Sequence, residues 1–62
     1  MLKAGTILQN RYRIEKQIGQ GGMGAVYVAV DQRFGSTVAI KETLFLGENF
    51  EKAFEREARL LN

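Results

Sequence analysis

Three glycines, a lysine and a glutamate stand where their chemistry could be used together. Gly19, Gly21 and Gly24 fall within the run Gly19-Gln20-Gly21-Gly22-Met23-Gly24-Ala25-Val26, and Lys41 closes Val38-Ala39-Ile40-Lys41. Residues without side chains let a backbone approach phosphate oxygens closely, and a lysine ammonium supplies a point charge for the same oxygens. Glu57, further along, is a carboxylate that could hold that ammonium in place. The pattern is that of half a site for a nucleotide triphosphate.

The segments that must position these residues divide by periodicity. Residues 11–18 alternate loosely, with Tyr12, Ile14 and Ile18 on one parity, as a half-buried strand does. After the glycines, Val26, Tyr27, Val28 and Val30 make residues 25–30 a second strand, so the glycine loop joins a hairpin. Turn chemistry occupies residues 31–36, and residues 37–43 form a third β-rich run.

From Asn49, a candidate N-cap, to Leu61 the spacing becomes helical. Phe50, Ala53, Phe54, Glu57, Ala58, Leu60 and Leu61 recur at three and four, with Lys52, Glu55, Arg56 and Arg59 on the other side. Glu48 with Lys52 and Glu55 with Arg59 would attract at i,i+4 while Glu51 with Glu55 would repel, a net of a few tenths of about 1 kcal/mol. Glu57 would emerge among Ala53, Phe54, Leu60 and Leu61, where an unpaired carboxylate is costly, and Lys41 is its natural counter-ion. The alternative is a Glu57 at the margin of the apolar stripe that reaches water. The expected fold class is therefore α+β: a three-stranded antiparallel meander with one C-terminal helix packed on it, spanning residues 1–62 as a single piece of one domain.

Composition bounds the rest. A chain of 62 residues buries only about 60% of its unfolded surface, and with no cysteine and no histidine it has neither disulfide nor zinc cluster to staple it. Nine Lys and Arg against seven Asp and Glu give a net charge of +2, too little to argue for nucleic acid. No apolar run reaches membrane-span length and the N-terminus lacks a signal-peptide core, so a cytoplasmic protein with no membrane partner is expected.

Glycine spacing alone leaves several readings open. A Walker-type loop needs Lys-Ser/Thr after its last glycine, where Ala25-Val26 stand. A dinucleotide fingerprint needs a helix to open there, and the chain enters a β-rich run instead. Glycines that merely permit a hairpin turn are the plainest reading of an isolated loop.

The loop is not isolated. Glycine run, Val26, strand lysine and downstream glutamate, in that order, resemble the N-terminal lobe of the protein kinase family, and the likeness covers most of the chain. Gly-Gly-Met-Gly at residues 21–24 and Phe54-x-Arg56-Glu57-Ala58 look most like bacterial serine/threonine kinases of the eukaryotic type. The resemblance implies that backbone at Gly19, Gly21, Gly22, Met23 and Gly24 folds over ATP phosphates, Met23 giving a more flexible tip than an aromatic residue would. It implies that Lys41 holds the phosphates and is fixed by Glu57, and that Ile18, Val26 and Ala39 roof the adenine; plain sheet core accounts equally for the chemistry of those three.

Within these residues there is no His-Arg-Asp and no Asp-Phe-Gly, and the single aspartate, Asp31, falls in a turn. ATP binding is expected to be weak or absent in the chain alone, magnesium to be held only in a full-length parent carrying the C-terminal lobe, and phosphoryl transfer by the 62 residues to be unmeasurable. The third strand should keep an open edge, which would favour homo-oligomers that exchange a strand or the helix. The competing reading is an inert folding, assembly or interaction module that associates through that edge.

Overall fold

The computed structural model describes residues 2–49 and 51–61. In them the chain forms one antiparallel sheet whose strands are neighbours in sequence order: β1 (Ile7–Leu8), β2 (Tyr12–Gly21), β3 (Gly24–Asp31), β4 (Ser36–Leu46) and β5 (Lys52–Leu60). Strict alternation sorts β3, with Ala25, Tyr27, Ala29 and Asp31 buried on one face and Val26, Val28 and Val30 half-buried on the other. Val38, Ile40 and Glu42 of β4 continue the buried face, paired with β3 in unbroken register from Gly24 opposite Thr43 to Asp31 opposite Ser36. The sheet curls over this inner face into a half-barrel, closing Ile14, Ala25, Tyr27, Ala29, Val38 and Ile40 into a core against Leu2, Leu8 and Tyr12.

The expected α+β architecture is corrected by β5. Residues 52–60 are a strand, there is no helix among the described residues, and the predicted three-stranded sheet has five strands. The assigned N-cap Asn49 sits in a turn, and Phe50 of the expected apolar stripe lies outside the described residues. Local preference favours a helix here, with Ala, Glu, Lys, Arg and Leu throughout. Helical bonding, however, would leave the whole edge of β4 unpaired, and β5 instead pairs with it from Leu46 opposite Lys52 to Val38 opposite Leu60. A period of two was present as well: Phe54, Ala58 and Leu60 share one face with Arg56, and Glu55, Glu57 and Arg59 share the other. The third predicted strand therefore has no open edge, helix exchange loses its basis, and the i,i+4 charge pairs do not form.

Two irregularities and one anchored corner complete the frame. In β2, Glu15 and Ile18 are extra residues at register shifts between Ile14 and Lys16 and between Gln17 and Gly19, which bend the strand and break the parity that grouped Ile18 with Tyr12 and Ile14. At the turn after β3, Gly35 takes a φ of 70°, a conformation that strains any residue with a Cβ. Asp31 ties this turn to the start of β2, accepting from Arg11 Nε at 3.0 Å and Nη2 at 2.8 Å and from the Arg33 backbone N–H at 3.0 Å. The Arg11 guanidinium in turn lies over the rings of Tyr12 and Phe34 at 5.0 and 5.1 Å.

Candidate functional site

The register of the sheet lines up the residues that sequence singled out. Gly19 lies opposite Val26, Val26 opposite Lys41, and Lys41 opposite Glu57, so one row crosses β2, β3, β4 and β5 on the outer face. Ala39, one pair along β4, shares that face beside Val28. Each strand contributes by its pleat alone, which is why the row needs no helix.

At the end of the row the β2–β3 hairpin turns through Gly22 and Met23, closed by the pair Gly21 and Gly24. A hollow of about 470 Å³ opens beside the turn, lined by Gly21, Met23, Gly24, Val26 and Lys41 among others. The glycines differ sharply in why they lack a side chain. A Cβ on Gly24 would overlap the Glu42 carbonyl of β4, so this glycine is demanded by the sheet. On Gly21 or Gly22 a Cβ would meet nothing within 4 Å. Packing within the chain gives those two positions no reason to be glycine, whereas close approach by a ligand does. The turn is also held: the Leu44 N–H donates to the Met23 carbonyl at 2.6 Å, which restrains the tip expected to be flexible.

Lys41 is exposed and makes no ion pair among the described residues. Besides the glycine hollow it borders a smaller one of about 120 Å³ with Thr43, Glu55 and Glu57. Glu57 is not the buried carboxylate on a helix that sequence anticipated: it is exposed, and its Oε1 accepts from Arg59 Nε at 3.0 Å. Lys41 and Glu57 are thus brought to facing positions without bonding to each other. Gly22 lines a neighbouring hollow with Leu44 and Phe54, and Ile18, 53% exposed at its bulge, lines neither.

Sequence reasoning missed a polar chain through the core. The Tyr27 hydroxyl, fully buried, accepts from the Leu2 N–H at 3.1 Å and donates to Glu42 Oε1 at 3.4 Å, while Glu42 Oε2 accepts from Arg56 Nε at 2.8 Å. Arg56 reaches Glu42 only because β5 pairs with β4, so a helical assignment hid the contact. Glu42 next to Lys41 on alternate faces was the available signal: one of two adjacent charged strand residues must point inward. Asp31 also escaped notice. The Arg11 guanidinium, helped by the Arg33 N–H and opposed by desolvation, holds its carboxyl below the ordinary 3.8, and the same bond raises the Arg11 guanidinium above its usual value.

Comparison with known proteins agrees with the resemblance to protein kinases. The chain is 47% identical over 58 residues to a probable serine/threonine-protein kinase, pknA2, of Bifidobacterium longum, and 42% identical over 60 residues to the serine/threonine-protein kinase PknA of Mycobacterium tuberculosis. By sequence, the chain matches a fragment of bacterial serine/threonine-protein kinases. These matches take in 84% and 92% of the chain but only 8% and 14% of the two kinases. Serine/threonine-protein kinase A of Synechocystis is similar at 40% over 57 residues. No family model and no solved structure matches the chain. No helix among the described residues is long and apolar enough to cross a membrane, and no group of three or more His, Cys, Asp or Glu among them could hold a metal ion.

Proposed function

We propose that this chain is the phosphate-gripping portion of a protein kinase, with ATP as its nucleotide and serine or threonine hydroxyls as the acceptors of the longer enzyme. The observation that carries this reading is the pair Gly21 and Gly22, open to solvent beside a hollow that Lys41 borders. Backbone N–H groups at such a turn and one mobile ammonium suit the β- and γ-phosphates, and Val26 and Ala39 on the same face suit an adenine. The residues present fit a nucleotide's phosphates; ATP supplies the transferable phosphoryl group, and this chain's part is to bind and orient.

Alone, the 62 residues are expected to bind ATP weakly, at about 1 mM or above, because a shallow hollow with one cation leaves most of the ligand in water. They are expected to transfer no phosphate, since Asp31, the one aspartate, has both carboxylate oxygens bonded to Arg11. Titrating ATP while following backbone amide resonances tests the reading. Shifts should concentrate at Gly21, Gly22 and Met23 and disappear in Lys41→Met. Shifts spread over the surface, or unchanged by that substitution, would refute it.

A further inference from the structure

Having paired with β4 on one side, β5 leaves its other side bare among the described residues. The Leu61 N–H donates to the Thr37 carbonyl at 3.0 Å, so odd-numbered residues of β5 bond inward and Phe54, Arg56, Ala58 and Leu60 turn their N–H and C=O groups to the free edge. The same edge carries two large apolar side chains in solvent, Phe54 at 51% and Leu60 at 69% exposure. A row of free backbone groups beside uncovered apolar side chains is a template for another strand.

We propose that β5 is a homodimer interface in which two copies of this chain pair antiparallel about a two-fold axis at Glu57, joining their sheets edge to edge. The side-chain pattern selects both the partner and the register. With the axis at Glu57, Phe54 faces the partner's Leu60 and Leu60 the partner's Phe54, which covers both exposed apolar groups. Glu55 then faces the partner's Arg59, and Arg59 the partner's Glu55, giving two attractive pairs on the outer face. The two Glu57 carboxylates meet at the centre, each flanked by its own Arg59 at 3.0 Å and by Lys41 in the facing position of β4. The row across the joined sheets reads Lys41, Glu57, Glu57, Lys41, which balances in charge. Neighbouring registers are worse: an axis at Arg56 sets arginine against arginine and Glu55 against Glu57, and an axis at Ala58 leaves Phe54 facing no residue of β5. The interface belongs to the fold and does not depend on the nucleotide reading.

Sedimentation equilibrium of the 62-residue chain over a wide concentration range tests the proposal, together with charge variants at exposed positions. A monomer–dimer equilibrium is expected. Glu55→Arg and Arg59→Glu should each raise the dimer dissociation constant about tenfold or more, and the double swap should restore it to within about threefold. Ala58→Pro removes an outward N–H while sparing the bonds to β4, and should give a monomer that keeps its sheet. Amide exchange provides a readout without substitution: protection at Phe54, Arg56, Ala58 and Leu60 should rise with concentration while that at Glu55 and Glu57 stays constant. A monomer at every concentration, wild-type dimerisation in both single variants, no rescue by the double swap, or concentration-independent exchange would overturn the proposal.

Discussion

Glycine stands in two different surroundings within four residues, and single substitutions separate them. Gly24 lets β3 and β4 approach, so Gly24→Ala forces a methyl into the Glu42 carbonyl and should cost about 1–3 kcal/mol, seen as a lowered urea midpoint. Gly21→Ala meets no neighbour and should change stability by no more than about 0.5 kcal/mol, while weakening ATP-induced shifts at the hairpin tip several-fold. Loss of stability in both variants would remove the argument that Gly21 is kept for a ligand. Asp31 adds a pH dependence at this scale. Its folded pKa lies below the ordinary 3.8 because of Arg11, so its contribution is complete above that value and is lost as pH falls through the lower folded one. The urea midpoint should fall on acidification below about pH 4, and Arg11→Gln should flatten that part of the profile. Sequence singled out Gly19, Lys41 and Glu57, which the sheet sets in one row; the different surroundings of Gly21 and Gly24 were not legible, because they depend on which strand passes behind each.

At the scale of elements the instructive segment is β5. Its residues satisfy a helical pattern of threes and fours and, from Phe54 to Leu60, an alternation of two, and local propensity favours the first. The edge of β4 decides for the second, since pairing satisfies backbone groups that would otherwise face solvent. Arg56 fastens the choice by reaching Glu42, which is 5% exposed and also accepts from Tyr27. Arg56→Ala should therefore cost about 2–3 kcal/mol by stranding a buried carboxylate, a little below the usual penalty for a broken buried pair because Arg56 itself is half-exposed. Glu42→Gln combined with Arg56→Met should recover most of that loss in the urea midpoint, as neither residue then carries an unpaired charge. The strand segments of β3 and β4 were readable because alternation and β-branching agreed there, and β2 was readable as a strand although its two bulges upset the parity of its residues; β1 was too short to register.

At the scale of the whole molecule, a sheet curled on itself, with no second layer among the described residues, leaves much of its surface wet. The accessible area is 4727 Å² for 7.0 kDa, against about 4,000 Å² for a compact monomer of that mass. The radius of gyration of 12.1 Å likewise exceeds the roughly 10.6 Å of a compact chain of this length. Surface left uncovered in this way makes stability depend on what covers it. The thermal midpoint should accordingly rise with protein concentration as β5 edges pair, and Ala58→Pro should abolish the rise.

Residue type and order by themselves determined the resemblance to bacterial serine/threonine kinases and most of the strands, because glycine spacing, a strand lysine and β-branched alternation are properties of short stretches. Tertiary structure decided that residues 52–60 extend rather than coil, that Glu57 faces Lys41 across a strand pair, and that Tyr27, Glu42 and Arg56 bond inside the core. The extension of residues 52–60 turns on the free edge of β4, the strand just before it, whose unmet hydrogen bonds outweigh what residues 52–60 prefer by themselves.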